Sequence, residues 1–283
     1  MVATDLLASN FIDLLRNRMV LQAAGATMLT GLVGNIAIPR QTGGATAYWV
    51  AENNSPTESQ QAVDQVPMTP KTVGAYTDIA RKLIMQSSVD VEAFVRRDLS
   101  TVQALAIDLA GLHGTGASNQ PTGVAITSGI GSVVGGSDGA APTWANIVSL
   151  ETEVAQDNAD LGSLGYITNA KVRGKLKSTN NVANTAEMVW DARFPDTPLN
   201  GYRAPVSNQV RSDISKGNGT NLSAIFFGNW SDLLIGMWGA LDILVDPYTG
   251  STAGTVRVVA LQDVDIAVRH AESFAAMLDA VTS

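Results

Sequence analysis

The chain has 283 residues, 45% of them hydrophobic and 16% charged, so it can bury a large core or two lobes and is not an intrinsically disordered protein. It contains no cysteine and only two histidines, which excludes disulfides, thiolate nucleophiles, cysteine-ligated zinc and a multi-histidine metal site within one subunit. The net charge of −8 argues against recognition of nucleic acid through its phosphates, because such recognition requires a basic surface.

The first forty residues predict a helix and a strand. Residues 4–18 form an amphipathic pattern with Thr4 as the helix cap and with an apolar face made of Leu7, Phe11, Leu14 and Leu15. Residues 34–39 predict a strand. The uncharged stretch 19–38 must be weighed as a membrane span or signal peptide, but polar residues and three glycines dilute it. A protein without a membrane segment is therefore expected.

Residues 41–70 predict a long projecting hairpin. The stretch contains no lysine or arginine, and its polar tip covers residues 53–61. Apolar residues alternate in the two flanks: Ala45, Ala47 and Trp49 in the first, and Val63, Val66 and Met68 in the second. Thirty residues this polar cannot bury enough surface to be stable alone. Either a partner docks on the hairpin, with Tyr48 and Trp49 as apolar contacts, or the stretch is a disordered surface loop.

Residues 71–86 predict a strand entering a short helix, and residues 89–112 predict one long helix. Seven apolar residues recur in the long helix at steps of three and four, which predicts a single buried face: Val91, Val95, Leu99, Val102, Ala106, Leu109 and Leu112. Such a helix is about 35 Å long at 1.5 Å per residue, so other elements must pack along it.

The second half alternates strands and helices, which is typical of an α/β lobe over about 119–235. Thr143 is the expected cap of a helix over 143–160. A short buried strand at 165–168 precedes a helix that carries Lys171, Arg173, Lys175 and Lys177. These cations are spaced like a solvated helix face, or they meet an acidic neighbouring subunit. Further strands are predicted at 224–228, 235–246 and 256–268, with a turn at 247–255.

No motif identifies a catalytic, cofactor or metal site. Residues 135–139 match the G-x-S-x-G elbow of serine hydrolases, but the helix that must follow the serine at once cannot begin before Thr143. A hydrolase that uses Ser137 and His270 is therefore a remote alternative, and His270 is assigned a structural role. His113 ends the long helix, where an imidazolium would cap the helix dipole.

Eight segments in a fixed order carry a resemblance across nearly the whole chain. They are GNIAIPR (34–40), WVAE (49–52), MTPKTVGAYTDIARKLIMQSSVDVEAFVRRDL (68–99), LAGLHGTGASNQPTG (109–123), GYITN (165–169), LNGYRAPVSN (199–208), IFFGNW (225–230) and DPYTG…VRVVALQDVDIAVRHAESF (246–274). Each segment is weak alone, but their order and spacing are specific. Together they resemble the major capsid protein of tailed phages, of the Hong Kong 97 type.

The resemblance implies an α+β fold of the Hong Kong 97 type. Its parts are an N-terminal arm (1–38), an extended β-hairpin loop (39–72), a peripheral domain (73–118 and 236–270) with a spine helix (89–112), and an axial α/β domain (119–235 and 271–283). The glycine-rich segment 114–123 then becomes a hinge between the two domains and not a phosphate cradle.

The resemblance also implies a structural protein and not an enzyme. Copies of the subunit would self-assemble as hexamers and pentamers into an icosahedral shell that encloses viral DNA without sequence-specific binding. Portal, scaffold or cement proteins are the other implied partners. The implied location is the virion capsid, assembled in the host cytoplasm, with no membrane and no cofactor. Subunit contacts are predicted at Tyr48, Trp49, Glu52, Arg40 and Lys71.

Two departures from the family pattern matter. Many relatives carry an N-terminal scaffolding region that a protease removes, whereas the arm begins almost at once here, so scaffolding is expected to be removed or supplied separately. Some relatives cross-link a lysine of the extended loop to an asparagine of a neighbour. Because no lysine lies between Arg40 and Lys71, a shell held by non-covalent contacts or a cement protein is expected.

Other functions remain open at this level. An encapsulin-like enzyme compartment or a gene-transfer-agent shell would have the same fold and a different cargo. A monomeric surface-binding module would remain a small species at high protein concentration.

Overall fold

A computed structural model describes residues 16–17, 19–86, 91–182 and 185–282. Within these ranges the α-helices are α1 (Leu21–Ala24), α2 (Arg81–Gln86), α3 (Val91–His113), α4 (Trp144–Gln156) and α5 (Ala170–Ser178). The strands are β1 (Thr27–Leu29), β2 (Ile36–Gly43), β3 (Ala62–Met68), β4 (Lys71–Ala80), β5 (Gly131–Ser132), β6 (Leu164–Thr168), β7 (Ile214–Lys216), β8 (Gly219–Asn229), β9 (Leu233–Asp246), β10 (Thr255–Val268) and β11 (Phe274–Ala280). No helix in the described ranges is both long and apolar enough to cross a membrane.

The long helix is present as α3, but its buried face differs from the predicted one. Leu99 and Leu112 are buried as predicted, but the buried residues also include Gln103 and Asp108, whereas Val102 and Ala106 are only half-buried. Along the buried line of the helix, Gln103, four residues after Leu99, takes the place predicted for Val102, three residues after Leu99. Polar residues can occupy it because each finds a backbone partner. The Gln103 side-chain amide, for example, donates to the Ala260 carbonyl over 2.6 Å.

A four-stranded sheet in the order β1-β9-β10-β4 supports α3. The two long strands β9 and β10 are antiparallel and are joined by the predicted turn, and β4 pairs antiparallel with β10 along its whole length. Leu99 of α3 packs against Ile79, Val258 and Ala260 of this sheet. The helix and the sheet therefore form one layered lobe.

The second sheet has the order β5-β11-β8-β6, with β7 also paired to β8. Both α4 and α5 pack on one face of it, through buried residues such as Ile147, Val154, Val172 and Leu176. Thr143 caps α4 as predicted, because its side chain accepts the Asn146 N–H while the Asn146 side chain accepts the Thr143 N–H.

The two sheets share one core. A single buried cluster joins residues of α1, α3 and strands from both sheets: Leu21, Leu112, Phe226, Trp230, Ile235, Ile266 and Phe274. The Trp230 indole N–H donates to the Gly165 carbonyl over 2.8 Å, and its ring meets the Phe274 ring edge-on at 5.3 Å. The lobes are therefore packed as one body.

Residues 19–35, which belong to the predicted N-terminal arm, are bound to this body. The backbone N–H groups of Val20 and Leu21 donate to the buried Asp108 carboxylate over 3.1 and 2.9 Å. Burial raises the pKa of Asp108, and these two N–H groups oppose that change. β1 then pairs with β9 in parallel. The helix predicted over 4–18 falls almost wholly outside the described residues.

The segment predicted to be a hinge is closely packed. The Gly123 N–H donates to the Gly114 carbonyl over 2.9 Å, and Thr115 pairs with Thr122 as an antiparallel bridge. A Cβ atom at either glycine would collide with backbone atoms, including the Ala110 carbonyl oxygen. Tight backbone packing therefore requires glycine at both positions.

The predicted imidazolium role of His113 is wrong. The Arg211 backbone N–H donates to His113 Nε2 over 3.1 Å, which requires that nitrogen to carry a lone pair. Burial, with a further contribution from the Arg211 positive charge, lowers the pKa of His113 to about 4, so the ring is neutral. The hydrogen bond from the Arg211 N–H and the burial of the ring therefore outweigh the helix dipole, which would favour a protonated imidazole.

We expect this histidine to make the unassembled subunit sensitive to acid. A histidine whose pKa falls from 6.5 to about 4 on folding contributes stability above pH 6.5 and loses it as the pH approaches 4. Between pH 8 and pH 4.5 the wild type should lose about 2 to 3 kcal/mol more unfolding free energy than His113→Gln, which keeps an acceptor but cannot titrate. Urea unfolding at both pH values measures this difference. Parallel losses in the two proteins would contradict it.

Candidate assembly surface

The hairpin consists of β2 and β3, which pair antiparallel from Ile36 opposite Met68 to Gly43 opposite Ala62. Regular pairing stops there, so the predicted first arm, along which Ala45, Ala47 and Trp49 alternate, is a paired strand only as far as Gly43. Beyond Gly43 the side chains up to residue 58 are exposed, so burial does not stabilise further strand pairing. Residues 44–61 form the loop between the strands, and we call them the hairpin tip.

The hairpin tip makes almost no contact with the rest of its own chain. All residues from 44 to 58 are exposed. The two sides of the tip are joined where the Thr46 N–H donates to Ser59 Oγ over 2.9 Å, and a turn closes where the Asn54 N–H donates to the Ala51 carbonyl. Asn53 has φ 62°, as the third residue of a type II turn requires.

Tyr48, Trp49 and Val50 present an apolar patch at the tip. Trp49 is fully exposed, and Tyr48 and Val50 are 46% and 48% exposed. Glu52 lies next to them, exposed, at the second position of the turn. Consecutive apolar side chains on a polar arm are typical of a docking surface.

Arg40 and Lys71, which were predicted with that group, lie at the base of the hairpin. Arg40 bridges the two strands, with Nη2 2.8 Å from Asp64 Oδ2, and it lowers the pKa of Asp64. Its Nη1 also donates to the Arg269 carbonyl over 3.4 Å, which ties the hairpin to the body. The five predicted contact residues thus separate into a tip group and a base group.

The Lys71 ammonium forms a largely buried ion pair. Lys71 Nζ lies 2.6 Å from Asp265 Oδ1, and the Asp265 side chain is only 5% exposed. The Asp265 carboxylate also accepts the N–H groups of Thr69 and Ile266 over 2.8 and 2.9 Å. Sequence reasoning missed Asp265, because its role depends on a strand pairing across 194 positions.

Ser137 and His270 do not form a catalytic pair. The loop of Ser137 lies beside Gly217 and at the C-terminal end of β11, where Ala140 pairs with Ala280. His270 lies four residues before β11, at the N-terminal end of that strand. It lines a cavity of about 470 Å³ together with Arg40. Ser137 and His270 thus lie towards opposite ends of β11, and the ends of this seven-residue strand are about 20 Å apart at 3.3 Å per residue.

Comparison with known proteins finds relatives among phage capsid proteins. The profile of the phage capsid family matches residues 1–278. The chain is 34% identical over 275 residues to the major capsid protein of Halomonas phage phiHAP-1. The aligned region covers 97% of this chain and 43% of that protein. It is 26% identical over 242 residues to the major capsid protein of Klebsiella oxytoca phage phiKO2, over 83% of this chain and 55% of that protein. The chain therefore spans about half the length of these relatives.

Solved structures share the fold. The capsid of a native gene-transfer-agent (GTA) particle superposes with a TM-score of 0.77 at 16% identity, covering 98% of this chain and 96% of that one. A chain from Mycobacterium phage Ogopogo superposes with a TM-score of 0.74, also at 16% identity, covering 99% and 97%. At such low identity the likeness concerns the fold alone.

Proposed function

The chain belongs to the phage capsid family, and from this premise we propose that it is a major capsid subunit whose copies assemble into an icosahedral shell. Its α+β fold, which the resemblance predicted as the Hong Kong 97 type, is confirmed by the capsid structures that superpose on it. We propose further that the copies form hexamers and pentamers, enclose viral DNA, and occupy the virion capsid after assembly in the host cytoplasm.

The hairpin tip carries this proposal. Fifteen consecutive exposed residues, with a fully exposed tryptophan among them, gain nothing from the fold of their own chain. Ordering such a segment costs conformational entropy that only a partner can offset. A neighbouring copy in a shell provides that partner at every position, which supports Tyr48, Trp49 and Glu52 as subunit contacts.

The domain assignment from the resemblance is part of the proposal. The lobe of α3 and the first sheet corresponds to the peripheral domain, and the lobe of α4, α5 and the second sheet corresponds to the axial domain. Portal, scaffold or cement proteins are further proposed partners. The net charge of −8 supports a surface that encloses DNA without binding its sequence.

Electron microscopy of the purified protein tests the assembly directly. We expect closed icosahedral particles at high protein concentration, and a species of subunit size by light scattering would contradict the proposal. A gene-transfer-agent shell is the second candidate, because a GTA capsid superposes well on this chain. DNA recovered from nuclease-treated particles separates the cases: a phage genome supports the first, host fragments the second, and protein cargo without DNA an enzyme compartment.

We expect the shell to lack covalent cross-links. No lysine lies between Arg40 and Lys71. The ammonium of Lys71, at the end of the extended loop, is ion-paired with Asp265 of its own chain, so the projecting part of the loop has no amine for an isopeptide bond. Boiling assembled particles in SDS should release a single species of 29.6 kDa on a gel. A ladder of higher bands would contradict this expectation, and unassembled protein on the same gel serves as the control.

The proposal includes no catalytic role. The distance between Ser137 and His270 supports this view, since a nucleophile and its base must lie within hydrogen-bond reach. An esterase activity that Ser137→Ala abolished without affecting assembly would overturn it.

A further inference from the structure

The outer face of α5 carries positive charge that does not stabilise the helix. Lys171, Arg173 and Lys177 are exposed, and α5 contains no acidic residue. Lys177 lies in the last turn, where the helix dipole favours a cation, but Lys171 and Arg173 lie near the N-terminus, where it repels one. Lys171 and Arg173, near the start of α5, therefore do not stabilise the helix.

Those three cations have no carboxylate partner in the part of the chain that the structure describes. The ion pairs found there use eight other Lys and Arg residues, which are Arg16, Arg40, Lys71, Arg96, Arg193, Arg211, Lys216 and Arg257. In a chain with 26 acidic residues, a basic face left unpaired is available to an external anion.

Gly174, in the middle of this basic face, is not required by the packing of its own chain. It is exposed, and a Cβ atom there would meet no atom within 4 Å. Glycine is unfavourable inside a helix because it loses more backbone freedom on folding than other residues. A glycine that no intrachain contact requires leaves room for another molecule to approach the helix backbone closely.

A complementary surface lies at the C-terminal end of α4. Glu153 is half-buried, and Asp157, which caps the helix, and Asp160 are exposed. The helix dipole disfavours carboxylates at this end. None of the three is ion-paired within the described residues, and the neighbouring Leu161 is 70% exposed. The cations at the N-terminal end of α5 and the carboxylates at the C-terminal end of α4 are thus each unfavourable for their own helix dipole. Each group would be stabilised by the opposite charge of the other.

We propose that the basic face of α5 docks on the acidic C-terminal end of α4 in a second copy of the chain. The inference rests on the proposed function, because it supplies a contact between neighbouring subunits. The two surfaces belong to one lobe and differ from each other, so the contact is heterologous and repeats head to tail around a ring. A second copy is favoured over nucleic acid because the chain itself presents the complementary acidic surface at the end of α4, and because Gly174 fits the approach of a protein surface.

Charge reversal tests the contact. Lys171→Glu with Arg173→Glu, or Asp157→Lys with Asp160→Lys, should raise the protein concentration needed for assembly by at least about tenfold, since like charges then face each other. The chain that carries all four substitutions should recover assembly, because each reversed surface again meets its opposite. Lys171→Arg with Arg173→Lys keeps both charges and is the matched control.

A size series at Gly174 separates docking from folding. Gly174→Ala and Gly174→Leu should raise the Tm of the unassembled subunit by about 2 to 4 °C, because both residues favour a helix. Assembly should nevertheless decline in the order Gly, Ala, Leu. Variants that become more stable and assemble as well as the wild type would overturn the proposal.

The remaining outcomes are also decisive. If the double reversals assemble like the wild type, or if the fourfold variant does not recover, the contact is wrong. Normal shells with reduced DNA content from the α5 reversal would assign the face to nucleic acid and overturn the proposal. Failure of the wild type to assemble would instead overturn the proposed function, so the two failures are distinguishable.

Discussion

Trp49→Ala is expected to leave the subunit folded and to prevent its shells from closing. The indole is fully exposed and is not packed against the core of the residues that the structure describes, so its removal creates no cavity. A tryptophan buried at an interface contributes at least about 2 kcal/mol to one contact, equivalent to about 30-fold in affinity, and a shell repeats that contact at every subunit. Thermal unfolding by circular dichroism and electron microscopy of the same sample measure the two effects.

Two variants control this experiment. Trp49→Tyr keeps an aromatic side chain and should retain most of the assembly. Tyr248→Ala removes another exposed aromatic residue, at the turn between β9 and β10, and tests whether any exposed ring has the same effect. Particles of wild-type number and shape from Trp49→Ala would remove the basis for assigning the hairpin tip to a subunit contact.

Lys71→Met is expected to have the opposite signature, a loss of subunit stability before assembly begins. It leaves the Asp265 carboxylate buried without its cation, which costs about 3 to 5 kcal/mol when one partner of a buried pair is removed. Urea unfolding of the unassembled subunit measures the loss. An unchanged midpoint would show that Lys71 has no structural role and would favour its assignment as a subunit contact alone.

The chain provides matched controls for this variant as well. Arg40→Met breaks an exposed ion pair and one long hydrogen bond of 3.4 Å at the same hairpin base, and should change stability much less than Lys71→Met. Lys71→Met combined with Asp265→Asn removes both charges, so the double variant should be more stable than Lys71→Met alone. If the double variant is no better, the lysine acts through its aliphatic stem and not through its charge.

Local patterns predicted most of the secondary structure. The apolar spacing of 89–112 predicted the helix observed as Val91–His113, and Thr143 was correctly identified as the cap of α4. The strands predicted at 235–246 and 256–268 are present as Leu233–Asp246 and Thr255–Val268. These features depend on residues within one or two turns of one another, so the sequence contains the relevant information.

The errors have a common origin in long-range contacts. α3 has apolar residues on more than one side, so its periodicity could not decide between the Val102 line and the Gln103 line. The first sheet decided it by offering the Ala260 carbonyl to Gln103. His113 was assigned a charge from its place in the helix, and a backbone N–H 98 positions away keeps it neutral.

By itself, the sequence determined the long helix, the two long strands of the first sheet, the polar hairpin that has no core of its own, and the segments that resemble the capsid proteins. These properties follow from periodicity, composition and the order of motifs along the chain. Only the tertiary structure decided that Lys71 is neutralised by Asp265 whereas Trp49 stays fully exposed. It also decided that Lys171, Arg173 and Lys177 of α5 have no carboxylate partner among the residues that the structure describes. The physical reason is that the partner of a charged or apolar side chain is set by tertiary contacts. Lys71 and Asp265, for example, lie 194 positions apart in the sequence and meet only because their strands pair.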